Sequence, residues 1–375
     1  MGAIIEDVRH ARALLPYLAA ALVIAVGSTA LVLASVDDEE SGVIAPSAGA
    51  RTPLELSATG RLAYWRQNPA GAFVLWAANL DGTRPRPLTT LGTNASRPFG
   101  TRWAASGRAV GYVTDQGIGL IGLDGSRVDI TLPPATVSAG FRVVDYRWSP
   151  SGNRVAATVY RSADGKSEVF VASRDRPLLA RAGDFGNAFV GDWISEDEVI
   201  VESDRGVLGA LRQGAPLRNL VEQSAASSFF DGSRVFFLAG QVGTSNVAGV
   251  FVQSPTVWSV LPDGTDARRE ARLEVAANVK LDGIWPDGRF LVHILSDQTQ
   301  WLAGPRLVSL GSSNLIRRVV VSADRRSAIA FGGSRIVRID LTRGFAPNER
   351  AESAYVVLLD GVINPDAWVR RSTLP

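Results

Sequence analysis

One short phrase returns about every 45 residues along this chain, a fixed period that marks a repeat architecture. Its clearest copy is Trp148-Ser-Pro-Ser-Gly-Asn-Arg-Val-Ala-Ala157, and looser copies begin at Leu56, Trp103, Trp193, Phe229, Trp285 and Val321. Each copy is an aromatic or aliphatic anchor, a tight polar turn and a short apolar run. A unit of this size cannot bury its own apolar face and must stack against its neighbours. The step from Phe229 to Trp285 is longer than the others and is flanked by two shorter ones, so the fifth repeat carries an insertion.

The grammar within a repeat is that of strands. After each turn comes a β-rich run, such as Leu62-Ala-Tyr-Trp65, Val155-Ala-Ala-Thr-Val-Tyr160 or Phe290-Leu-Val-His-Ile294. A second run often ends in Asp-Gly, as at Asp81-Gly82, Asp124-Gly125 and Asp263-Gly264. That dipeptide marks a hairpin, because Gly accepts the positive φ such turns need. A third run, such as Arg127-Val-Asp-Ile130, and a fourth just before the next anchor complete four strands per repeat. The 37 glycines and 19 prolines supply the turns that so many short strands require.

The Trp148 phrase, and Trp285-Pro-Asp-Gly-Arg-Phe-Leu one residue shorter, resemble the WD40-like repeats of TolB-type β-propellers. The resemblance spans about residues 54–368 and implies an all-β propeller of four-stranded blades. Seven anchors favour seven blades, with six or eight as alternatives. The resemblance is nearly silent about ligand. Trp193 lacks the turn Gly, Phe229 and Val321 replace the Trp, and no Trp-Asp dipeptide occurs. The tail offers a closure: Tyr355-Val-Val-Leu-Leu-Asp360 reads as a strand, and Asn364-Pro-Asp-Ala-Trp368 resembles the lead into an anchor. The C-terminal segment is therefore expected to pair with the first blade, removing an exposed edge.

Ahead of the repeats, residues 13–36 are uncharged and apolar, longer than the roughly 20 residues needed to cross a hydrocarbon core. Arg9 and Arg12 precede the stretch, and Asp37, Asp38, Glu39 and Glu40 follow it. The positive-inside rule then puts residues 1–12 in a prokaryotic cytoplasm and the rest outside, on a single-pass span. The length of the apolar run favours an uncleaved anchor over a signal peptide cleaved near Val32-Leu33-Ala34. Residues 37–53 read as a tether and 54–375 as the propeller domain.

Chemistry is sparse. There is no cysteine, which excludes disulfides, thiolate catalysis and a lipid-modified Cys anchor. A net charge of +2 lends no support to nucleic-acid binding. The only histidines are His10 and His293, and no Gly-x-Ser-x-Gly elbow exists to build a triad around His293. No catalytic residue, metal ligand or cofactor is assigned. The anchor tryptophans are read as packing between blades rather than as a sugar-binding array. The turns Ser195-Glu-Asp-Glu198 and Asp263-Gly-Thr-Asp266 are read as solvated, and Asn94-Ala-Ser96 is a formal sequon. The fifth repeat is the one local oddity. Its long, sparsely charged segment makes Phe251 and Trp258 the candidate partner-binding residues, against an alternative in which the segment is a hairpin packed on its own blade. The preferred reading is a membrane-anchored, extracytoplasmic, non-enzymatic scaffold for a protein partner. The alternative is a carbohydrate-binding or hydrolytic propeller using acidic residues of the central channel.

Overall fold

The computed structural model describes residues 60–369, apart from 93–97, 246–248, 274–277, 286, 296–298, 304–307, 313–317, 322–325, 333 and 342–354. The anchor Leu56, the apolar stretch 13–36, the tether 37–53 and the sequon at Asn94 lie outside the described residues. Among the described residues, no helix is long and apolar enough to cross a membrane.

The β-rich runs form antiparallel strands in chain order, as their alternation and turns dictate. The first repeat contributes β1 (Gly60–Gln67), β2 (Phe73–Asn79) and β3 (Arg86–Leu91). The second contributes β4 (Phe99–Trp103), β5 (Ala109–Thr114), β6 (Gly117–Gly122) and β7 (Arg127–Thr131). A short helix, α1 (Pro134–Ser138), leads into β8 (Phe141–Trp148), β9 (Arg154–Arg161), β10 (Lys166–Ser173) and β11 (Ala180–Arg181). The fourth repeat holds β12 (Ala188–Trp193), β13 (Glu198–Ser203), β14 (Leu208–Arg212) and β15 (Arg218–Asn219). Then come β16 (Ala225–Phe230), β17 (Val235–Ser245), β18 (Gly249–Val260) and β19 (Arg268–Arg272). They are followed by β20 (Val279–Ile284), β21 (Phe290–Ile294), β22 (Thr299–Ala303) and β23 (Val308–Ser312). The last full repeat is β24 (Arg318–Val321), β25 (Ser327–Gly332), β26 (Arg335–Asp340) and β27 (Tyr355–Leu359), and β28 (Ile363–Val369) ends the series.

These strands assemble into a propeller of six sheets, the lowest of the three counts the repeats allow. Five sheets have four strands and the sixth has eight. The favoured count of seven separate blades gives way because β18 is 12 residues long and pairs with β20 through Val252 and Val279. The fifth and sixth repeats thus keep their own four-strand order but share one continuous sheet.

Closure follows the expected route. β28 pairs antiparallel with β1, from Gly60 opposite Val369 to Trp65 opposite Ile363, so the two ends of the propeller complete one sheet. Between neighbouring repeats lie apolar clusters. Tyr146 and Trp148 pack with Ile118, Leu120, Val155 and Phe170 at one such seam. Leu62 and Tyr64 meet Ile329, Phe331 and Ile336 where the ring closes. Trp103, Trp148, Trp193 and Trp285 are all buried, and each sits in a seam, as stacked repeats require.

Candidate functional site in the inner strands

The first strand of each repeat is the innermost. β28, β4, β8, β12, β16 and β20 follow one another in contact, whereas the last strands, such as β7, β11 and β19, are exposed. On a strand, successive side chains point to opposite faces. Because Trp103, Trp148 and Trp193 turn into the seams, the residues just before them, Arg102, Arg147 and Asp192, turn the other way. A bulge between Val143 and Asp145 brings Asp145 into the same group.

The result is a charged arc across the second, third and fourth repeats. Arg102 Nη2 donates to Asp145 Oδ1 at 2.7 Å. Arg147 Nη1 donates to both Asp145 oxygens at 2.8 and 2.7 Å, and the Tyr146 amide donates to Oδ1 at 2.9 Å. Arg147 Nε lies 3.6 Å from Asp192 Oδ1, and Asp192 Oδ2 accepts the Phe230 amide of the next repeat at 3.1 Å. On the other flank Asp366 of β28, itself buried, accepts the Trp103 amide at 2.7 Å. Water reaches this arc, since the side chains of Arg102 and Asp145 are 23% and 34% exposed.

The electrostatics are one-sided. Burial alone would raise the Asp145 pKa, but Arg102 and Arg147 outweigh it and hold the carboxyl well below the usual range. Burial would likewise lower Arg102, yet Asp145 and Asp366 drive it the other way and keep it charged. A general acid needs a carboxyl that is protonated near the working pH. Asp145 is held ionised and already accepts from three residues, so it is suited to binding sheets together and not to proton transfer.

Phe251 and Trp258 lie on one strand but are not brought together. The Phe251 ring covers Gly243, its register partner, where a Cβ would stand 2.6 Å from the ring. Trp258 sits opposite Phe237 and Arg269 and packs on the seam between the fourth and fifth repeats. The fifth repeat's insertion is an extended hairpin. Beyond Gly240, the pairs from Gln241–Gln253 to Ser245–Gly249 run past the reach of β16 and β19, with Val252 pairing to Val279 of β20 at the base of this ribbon. His293 is half-buried on β21, in register with Lys280 and Gln300.

The turn at Ser195–Glu198 is not simply solvated, contrary to expectation. Glu196 accepts from Ser149 Oγ at 2.8 Å and from the Ser151 amide at 2.9 Å, both in the preceding repeat. Asp197 pairs with Arg154 at 3.0 Å, so the turn latches two sheets. Asp263, by contrast, caps its own hairpin through the Thr265 amide and hydroxyl at 2.8 and 2.7 Å, as its Asp-Gly signal implies. Sequence reasoning allowed for acidic residues in the central channel but named none of the arc's residues. The one available signal was the charged residue immediately before three of the Trp anchors. Outside the arc, a concavity of about 350 Å³ is lined by Phe185, Val207, Leu217, Asp184 and Arg205.

Seams filled by buried aromatics, inner strands in contact round a ring and a C-terminal strand completing the first sheet together define a β-propeller. No protein-family model and no curated protein matches the sequence. Solved structures resembling it are propellers of varied function. TolB from Acinetobacter baumannii is 16% identical over 82% of this chain and 66% of that one, with a TM-score of 0.45. This chain thus spans just under two thirds of that TolB. The dihydro-heme d1 dehydrogenase NirN is 14% identical over 87% and 78% of the two chains, with a TM-score of 0.50. An oligogalacturonate lyase from Vibrio parahaemolyticus is 10% identical over 72% and 88%, with a TM-score of 0.49. At these identities the likeness is one of fold.

Proposed function

We propose that this chain is a membrane-anchored, extracytoplasmic propeller acting as a non-enzymatic scaffold that binds a protein partner. Residues 13–36 serve as the single span, with the N-terminus cytoplasmic and residues 37–53 tethering the propeller near the outer face of a prokaryotic cytoplasmic membrane. The observation that carries the reading is the commitment of the inner-strand charges from Arg102 to Asp192 to one another. Groups spent on stapling sheets leave the rigid rim, and the ribbon bearing Phe251, as the surfaces for recognition.

A second reading, carbohydrate binding in the channel, draws on the same convergence of Asp145, Asp192 and two arginines. Affinity capture of the full chain from membranes in mild detergent separates the two. On the scaffold reading a defined protein subunit co-purifies and is lost with Phe251→Ser. Retention of oligosaccharide that Asp145→Asn abolishes, with no protein subunit, would overturn it.

A further inference from the structure

Between the third and fourth repeats lies the concavity of about 350 Å³. One wall is the segment joining β11 to β12, with Asp184, Phe185 and Gly186. The other is the turn from β13 to β14, with Ser203, Arg205 and Val207, together with Leu217 just ahead of β15. The two walls are fixed to each other. The Asp204 amide donates to the Asn187 carbonyl at 2.9 Å, and Asn187 Oδ1 accepts from the Ser167 amide at 3.1 Å. Phe185 and Leu217 pack on the apolar cluster of that seam, which gives the concavity an apolar side.

Its polar groups are uncommitted, unlike those of the arc. Arg205 is exposed, and no described side chain pairs with its guanidinium. Ser203 is 2% exposed, and its hydroxyl oxygen accepts from the Arg205 and Val207 amides, each at 3.2 Å. A serine hydroxyl has two lone pairs and one proton, so with both lone pairs used it keeps a proton to donate. Asp184 is 77% exposed, and its one ion pair among the described residues is with Arg181, at 3.4 Å. Asp204 Oδ1 is buried and accepts from no described group. A Cβ on Gly186 would lie 3.6 Å from Arg205 Nε and 3.7 Å from Asp204 Oδ1, so opposite charges not paired with each other flank this one residue.

We propose that this concavity binds a free α-amino acid with an apolar side chain. Arg205 and the Ser203 hydroxyl take the carboxylate, Asp184 takes the ammonium, and Phe185, Val207 and Leu217 surround the side chain. A simple organic anion would meet the carboxylates of Asp184 and Asp204 as well as Arg205, whereas a zwitterion answers both signs. The volume of about 350 Å³ stands at the small end of the roughly 300–1,000 Å³ typical of ligand sites, which suits one amino acid and is too small for an oligosaccharide. The terminus of a protein chain carries only one of the two charges and so fits less well.

The test is calorimetric titration of the full chain in detergent with L-phenylalanine and L-leucine, and with the deaminated acid and the amide of each as analogues lacking one charge. At least one of the two amino acids is expected to saturate the site. Its analogues should each bind about tenfold or more weakly, the loss of one charge-assisted contact. Arg205→Gln and Asp184→Asn should each weaken the amino acid by a similar factor with Tm unchanged, since both side chains are exposed. No saturation below about 10 mM, or binding indifferent to both substitutions, overturns the inference. So does an analogue that binds as well as its parent amino acid, because one of the two charges would then go unread. None of these outcomes touches the capture of a protein partner, which uses other surfaces.

Discussion

Asp145 is where the second and third repeats are stapled, and its two arginine partners make its contribution depend on pH. Replacing it with Asn leaves Arg102 and Arg147 facing a neutral amide. Because a third of the side chain is exposed, solvent screening limits the loss, to about 1–2 kcal/mol in denaturant unfolding. The sign of the pH effect follows from the depressed pKa. The contribution is fully present above the unfolded value near 3.9 and is lost as pH falls toward the folded one. Stability is thus expected to decline below about pH 4, and less steeply in Asp145→Asn; equal slopes would show that Asp145 is not responsible. Gly111 answers to packing instead. A Cβ there would lie 2.7 Å from Tyr146 Oη and 2.9 Å from the Trp148 ring. Both rings are buried, so Gly111→Ala should cost about 1–3 kcal/mol and alter the near-ultraviolet circular dichroism. The tryptophans were legible in the sequence because they recur at the repeat length. Their charged neighbours were not, because each finds its partner on a different repeat.

At the scale of elements, the β17–β18 hairpin joins two roles the sequence could not separate. Its length was evident from the stretched spacing after Phe229, but its pairing was not. Val252 is fully buried, opposite Val242 and in register with Val279, and belongs to the apolar cluster between the fifth and sixth repeats. Excising residues 241–254 would therefore remove core as well as ribbon, and a single replacement separates the roles better. Val252→Ala is expected to lose about 2 kcal/mol by thermal or denaturant unfolding, while Phe251→Ser stays within about 1 kcal/mol of wild type. A Phe251→Ser loss as large as that of Val252→Ala would mean the ribbon is structural throughout. The latch at Glu196 belongs to this scale too. Its serine partners lie in the turn of the Trp148 phrase itself, so a turn that reads as mere punctuation also ties adjacent sheets.

The propeller is a closed ring, and its stability is tied to closure. Removing residues 362–375 strips β28 from β1, exposes the edge beside a fully buried Trp65, and deprives the Trp103 amide of Asp366. A drop of many degrees in Tm is expected, whereas Asp366→Ala alone should cost about 1–3 kcal/mol. An unchanged melting curve for the truncated chain would refute closure by β28. By itself the sequence determined the four-strand repeat, the seam-filling role of the tryptophans and the C-terminal closure, because periodicity, turn chemistry and apolar alternation are local and each repeat states them again. Only the tertiary structure decided that the fifth and sixth repeats share a sheet and that the inner strands carry a self-neutralised arc. Those features depend on which residues of different repeats meet across a seam. Spacing along a chain carries no record of such meetings, since they arise when stacking brings residues far apart in sequence within hydrogen-bonding distance.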